Sequence, residues 1–360
     1  MNLNRPLLAC RAPTALLIAC LVACEKPSEP IPVAQAELPK VLQVIATDVI
    51  YATYADFAQR ADALTVAVEK LAAAPDDARL QAARQAWREA RSPWEASEGF
   101  LFGPVVTLPI DGPIDSWPVN QVDLKKVLES DAPLTKATLD SLDVTLKGFH
   151  VIEYLLFGDS TSPVTPAGLS GRRTAYLQAA AASLAGEVHK LKDAWDPAHG
   201  DFVGALARAG SGSEVYPDRN QALREVLFAM TAICHEVANE KIYNVVRYDP
   251  PDRIQEESRF SDNSTADFAD NLRSARNVYR GGYLGGTGMG IGALVKAKDP
   301  ALDARLTGLF DSAIAATESM GLFGENIFTH RSRVDSASEA IRTLRGALIL
   351  EAAPALGVEF

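Results

Sequence analysis

Apolar residues return at intervals of three and four through most of the chain. Val41, Val44, Ile45, Val49, Tyr51, Tyr54 and Phe57 trace one face of a helix. Ala78–Trp94, Leu134–Phe157 and Pro166–Trp195 carry the same period, and it resumes over Arg219–Tyr248, Asp267–Tyr279, Leu302–Met320 and Ser336–Leu350. No stretch shows sustained alternation with β-branched residues, so no sheet is expected. The pattern predicts an all-α fold built from long helices and Pro/Gly-rich loops. A small, polar break at Ala209–Glu214 divides it into an N-terminal bundle over 36–209 and a C-terminal bundle over 214–360, two halves packed around a cleft.

Loose echoes link the halves and suggest an internal duplication. Ala90-Arg91 with Trp94 and Phe100 resembles Ala275-Arg276 with Tyr279 and Tyr283, and Phe157-Gly158-Asp159 resembles Phe323-Gly324-Glu325. Glycine at helix ends is common enough to produce such matches by chance. Counting back from Phe323 sets Ala316 and Ser319 against His150 and Glu153, so a duplicated scaffold would hold one site and not two.

The first residues do not fit the helical core. Arg5 and Arg11 precede the short apolar run Ala15–Ala23, which falls short of the about 20 residues a spanning helix needs. A basic start and a short apolar segment read as a secretion signal over 1–23. It ends Leu21-Val22-Ala23-Cys24, a lipobox in form, with Cys24 the expected lipidation site and 24–35 a tether. Glu25 follows, rather than the Asp associated with inner-membrane retention, which points to the outer membrane of a Gram-negative envelope. Loss of Cys10 and Cys20 with the signal, and lipidation of Cys24, leaves Cys234 as the one thiol, so no internal disulfide is expected.

Charge narrows the partners. The formal net charge is −11, and removing Arg5 and Arg11 with the leader takes it to −13. An acidic chain without a Lys/Arg cluster excludes nucleic acid as a natural partner, since phosphate neutralisation supplies most of that affinity. Cations fit better.

The chemistry concentrates at Gly148-Phe149-His150-Val151-Ile152-Glu153. Residues three apart share a helix face, so the His150 imidazole and the Glu153 carboxylate can reach one ion. Apolar neighbours imply burial, and a buried carboxylate demands a cation or hydrogen-bond donors. Alone the pair is a weak motif, equally a hydrogen-bonded structural couple. Two further acidic segments sit among aromatic residues: Trp94-Glu95-Ala96-Ser97-Glu98-Gly99-Phe100 and Ile114-Asp115-Ser116-Trp117-Pro118.

Taken in order, Arg91–Pro104, Ile114–Asn120, Gly-x-His-x-x-Glu at 148–153, Arg259–Phe268 and Val278–Gly281 resemble the imelysin family. The resemblance implies two helical bundles, an envelope location and an association with iron. It implies His150 and Glu153 as metal ligands, joined by Glu98 and Asp115, with Glu95 the alternative to Glu98. It also implies iron or an iron-bearing compound such as haem or a siderophore as the partner, together with iron-transport components.

A nitrogen with several carboxylates suits iron, zinc or copper(II) better than thiolate metals or calcium. Peptidase activity belongs to the family's name, but the His-Glu-x-x-His arrangement of zinc peptidases is missing. Val151 occupies the base position, and the near match His235-Glu236-Val237-Ala238-Asn239 ends in Asn. A hydrolytic reading would recruit Glu98 as base. Binding is the simpler expectation, and a non-catalytic scaffold or adaptor, with His150 and Glu153 only a structural pair, is the second alternative. Gly281–Gly290 lacks the Lys-Ser/Thr and the preceding strand of a phosphate loop. It reads instead as a tight connection lining the cleft, with Arg280 and Tyr283 as candidate contacts.

Overall fold

The computed structural model describes residues 33–159 and 161–360, which form one compact unit. The leader and Cys24 lie outside the described residues. The long helices are α1 (Val33–Val44), α2 (Ala52–Ala73), α3 (Asp77–Glu95), α4 (Gly148–Phe157) and α5 (Gly171–Trp195). After the turn at 208–218 come α6 (Arg219–Glu236), α7 (Ser264–Arg280), α8 (Ile291–Lys298), α9 (Pro300–Glu318) and α10 (Arg331–Ala347). Strand among the described residues is confined to the two-residue antiparallel pair Gly158–Asp159 and Ser162–Pro163. None of the helices described is long and apolar enough to cross a membrane.

Helix α2 packs against α3 and α5, with α4 closing the group; α6, α7, α9 and α10 make a second group. The groups interlock. Helix α7 lies on α3, and α1 crosses to α8, so the break near 210 is a turn within one unit rather than a gap between two. The suggested duplication fares poorly. Phe157 ends α4, but Phe323 opens the short helix Phe323–Thr329 beyond the end of α9. The two segments do opposite jobs, so this echo has no common structure behind it.

Local chemistry explains the helix limits. Asp76 caps α3 by accepting from the Arg79 N–H at 2.7 Å, and Asp299 caps α9 through Ala301 and Leu302 at 2.9 and 3.0 Å. Between α1 and α2 the chain runs through a wider π-helical turn, Ile45–Tyr51, without stopping. The added residue rotates the apolar face, so Ile45, Ala46, Val49 and Ile50 are buried while Val44 and Tyr51 sit at its margin.

The run Leu134–Phe157 is not one helix. It breaks into Lys136–Asp140, Val144–Leu146 and α4, and α4 starts at Gly148 with φ +77°. A Cβ on Gly148 would also overlap the Ile114 carbonyl. Only glycine meets both demands. The result sets the first turn of α4 directly on the short helix Asp111–Asp115.

Candidate functional site: a buried acidic cluster around His150

Gly148 is what brings His150 to Asp115. With α4 docked on Ile114, His150 Nε2 lies 3.1 Å from Asp115 Oδ1, although not aligned as a hydrogen bond. The Trp87 indole fixes the same turn by donating to the Phe149 carbonyl at 3.0 Å. Gly99 does the equivalent for Glu98. A Cβ there would strike Ser274 and the Ala275 nitrogen, so its absence lets the turn Glu98–Phe100 lie flat on α7. Asn271 of α7 then donates to Glu98 Oε2 and to Glu95 Oε2, each at 2.7 Å.

Around these points a charged cluster fills the junction of the two helix groups. Arg91, from α3, pairs with Glu95 (2.6 Å), Glu257 (2.8 Å) and Asp115. Lys241 sits on the π-helical turn Val237–Lys241 that follows α6. Its ammonium reaches Glu98 at 2.7 Å, Glu257 at 3.0 Å and Glu95 at 3.4 Å. The Trp94 indole donates to Asp115 Oδ2 at 2.7 Å. The Trp117 ring covers the cluster, 6.0 Å from the His150 ring and 5.8 Å from Lys241 Nζ.

The balance of charge is unequal. Glu95, Glu98, Asp115, Glu153, Glu257 and Asp267 are all buried, against Arg91 and Lys241 as permanent cations. Burial outweighs Arg91 and Lys241 at Glu95 and pushes its carboxyl up to about 7. Burial, with repulsion from Glu95, holds Glu98 well above the usual carboxylate range. Burial raises Glu257 as well, and Asp267 to about 7. Asp115 goes the other way, because Arg91 and His150 overcome its burial. Burial and Arg91 resist a proton on His150, but its contacts with Asp115 and Glu153 prevail and raise it to about 9.

The structure gives His150 and Glu153 different places. His150 Nδ1 meets Glu153 Oε2 at 3.0 Å. Glu153 Oε1 accepts from the Phe260 N–H (3.1 Å), the Ser261 N–H (2.8 Å) and the Ser261 hydroxyl (2.7 Å). Both Glu153 oxygens are therefore engaged, and its carboxylate holds the imidazole from behind. The atoms that converge come from elsewhere. One donor atom each from Asp115, His150 and Glu257 lies within 4.8 Å of the others, and so do atoms of Glu95, Glu98, Asp115 and Glu257.

A metal ion fits this donor set. Glu257 Oε2 is a buried atom without a hydrogen-bond partner, and His150 Nε2 faces Asp115 Oδ1 at 3.1 Å without an aligned hydrogen bond, whereas Glu95 Oε1 is held by Arg91 at 2.6 Å. An imidazole whose far nitrogen is held by a carboxylate, opposite an unpartnered carboxylate oxygen, is the arrangement that orients a histidine toward metal. A cation would also offset the acidic excess. A second acidic trio, Asp193, Asp196 and His199, is partly exposed, and its Asp196 is already taken by Lys192 (2.6 Å) and Tyr51 (2.9 Å).

Sequence reasoning assembled His150, Asp115, Glu98 and Glu95, and missed Glu257, Lys241 and the central role of Arg91. Lys241 and Glu257 have no aromatic neighbours within two residues in the sequence apart from Tyr243, and most of their partners lie on other elements. The one available signal was Arg91 itself, a cation on an otherwise buried face of α3. Arg280 and Tyr283 lie apart from the cluster. Arg280 pairs with Asp311 at 3.0 Å, and the Tyr283 hydroxyl donates to Asp56 at 2.8 Å. The glycine-rich segment after α7 packs on α1, where Gly288 faces Val44. It closes the body of the fold instead of lining a cleft. His235 is half exposed on α6, where Asn239 bonds its ring.

Comparison with known proteins agrees with this architecture. The family model described as "Imelysin" matches residues 50–349, a span that contains the whole cluster. Iron-regulated protein A of Synechococcus elongatus is 34% identical over 253 residues, covering 70% of this chain and 67% of that protein. A solved structure of an iron-regulated protein A precursor from Parabacteroides distasonis superposes with TM-score 0.78 at 25% identity, over 89% of this chain and 95% of that one. An imelysin-like protein from Psychrobacter arcticum shares the fold, with TM-score 0.72 at 14% identity, over 90% and 96%. The chain belongs to the imelysin family.

Proposed function

We propose that the protein binds a metal ion, iron by preference, as cargo for iron or iron-compound acquisition at the cell envelope. The observation that carries this is the His150 imidazole, held at Nδ1 by Glu153 and turned so that Nε2 faces Asp115 and a buried excess of carboxylate. His150, Asp115 and Glu257 would hold the ion, with Glu95 and Glu98 completing the set or balancing its charge. Glu153 is a positioning residue in this reading. The iron assignment is supported by the name of the Synechococcus elongatus relative, iron-regulated protein A, since the donor set alone suits zinc and copper too.

Lipid anchoring at Cys24 and an outer-membrane place are part of the same proposal and rest on the lipobox form of the sequence. Cys24→Ala should move the protein from the membrane fraction to the soluble one.

Metal content and affinity for iron, zinc and copper test the site. About one ion per chain is expected, lost in His150→Ala and Glu257→Gln with helicity retained. Glu153→Gln should weaken binding by about 10–100-fold, the usual cost of removing a histidine's outer partner. Tight binding indifferent to both His150→Ala and Glu257→Gln would remove the proposal. Glu98→Gln separates cargo binding from hydrolysis, because loss of peptide turnover with metal retained would mark Glu98 as a base.

A further inference from the structure

Behind Glu98 lies a cavity of about 560 Å³ that the metal reading does not use. It opens between α6 and the segment 101–107, and Phe202, from the short helix Phe202–Ala207, forms part of its wall. Its size is that of a small-molecule site. The lining is mostly hydrocarbon and aromatic: Leu101, Phe102, Phe202, Tyr216, Phe228 and Ile233 among others. The acidic side chains on the lining are Glu98, Glu225 and Glu236, with no lysine or arginine.

That combination selects its occupant. Carboxylates at the wall of an apolar cavity repel haem propionates and anionic chelates, and attract a cation. An inorganic ion gains little from aromatic walls, whereas an organic cation gains both hydrophobic burial and contact with ring faces. The mouth is apolar too. Val106 is 67% exposed and Phe228 60%, large side chains left open to solvent beside the cavity. Glu98 is 5% exposed and already gives Oε2 to Lys241 and Asn271, so it forms the partition between cavity and cluster.

We propose that this cavity is a second binding site, for a small organic ammonium ion with an aromatic or hydrocarbon body. The ammonium faces Glu236, and the body runs along α6 against Phe202 and Phe228. The site does not require the metal to be bound.

Calorimetric titration of the full chain with 4-phenylbutylammonium tests this, with 4-phenylbutanol and 4-phenylbutanoate as neutral and anionic controls of the same body. The ammonium should bind about tenfold or more tightly than the alcohol, and the carboxylate not measurably, as expected for a charge-selective apolar site. Ala232→Trp, which fills the cavity, should abolish binding while leaving metal content unchanged. Should that variant fold poorly, Phe228→Lys at the exposed mouth supplies the same test by repulsion. Glu236→Gln should bring the ammonium down to the affinity of the alcohol. Equal affinities for ammonium and alcohol in the wild type, no binding of either, or binding unaffected by both Ala232→Trp and Phe228→Lys would each overturn the proposal. None of these outcomes bears on the metal site, which is read separately by metal content.

Discussion

Metal affinity is expected to climb steeply with pH across the neutral range. To present Nε2 to an ion, His150 must hold its single proton at Nδ1, toward Glu153, and shed the second. Its contacts with Asp115 and Glu153 lift the imidazole to about 9, so it carries both protons through neutrality when no ion is bound. Binding therefore expels at least one proton, and the equilibrium gains about tenfold, or roughly 1.4 kcal/mol, for each pH unit. Between about pH 6 and pH 8 that amounts to roughly a hundredfold. Glu95, at about 7, adds to the slope in the lower part of the range and less above it. The assay is competition against a chromophoric chelator at several pH values, corrected for the chelator's own protonation. His150→Ala should bind weakly and with a shallower slope. Affinity that stays flat over those two units, in a protein that binds about one ion, would refute the protonation argument.

Three other perturbations have expected outcomes. Lys241→Gln removes the cation shared by Glu95, Glu98 and Glu257, and should destabilise the metal-free protein by about 3–5 kcal/mol in urea unfolding, the scale for breaking a buried ion pair. Added metal should restore more stability to that variant than to the wild type. Gly148→Ala forces a Cβ into the Ile114 carbonyl at a positive φ and should cost about 2 kcal/mol or more, with loss of metal binding because His150 is displaced. Asp299→Ala removes the cap of α9 and should cost about 1 kcal/mol in the same measurement, with metal content unchanged.

The helices were legible because burial of one face leaves a three- and four-residue rhythm that few other structures produce. Val41, Ile45, Val49, Tyr54 and Phe57 are buried as that rhythm requires. The π-helical turn at Ile45–Tyr51 was not legible, since an extra residue in a turn changes the phase of the face without calling for any particular residue. Gly148 opens the Gly-x-His-x-x-Glu motif, but its backbone conformation could not be read from it. A positive φ leaves no mark in the sequence beyond the glycine that permits it, and glycine serves close approach equally well.

The candidate site was half visible for a related reason. Asp115 and Glu98 stood out through aromatic neighbours within a few residues, but the indole that bonds Asp115 is Trp94, from the segment of Glu98. Lys241 and Glu257 meet their partners across the fold, with the Lys241–Glu98 bond joining residues 143 positions apart. Periodicity carries no information at that separation. Helical spacing says that Glu153 shares a face with His150, and not what the loop at Phe260 and Ser261 offers it.

The cluster is stitched from both sides of the turn near 210. Glu95, Glu98, Asp115 and His150 come before it, and Lys241, Glu257 and Asn271 after it. Neither fragment of a chain nicked at the exposed Gly210–Gly212 turn would possess the centre, and each would be left with charges whose counterparts reside on the other. Such a pair would report its own reunion. Recovery of bound metal on mixing would serve as a complementation signal, reading out correct assembly of the two pieces without any added label.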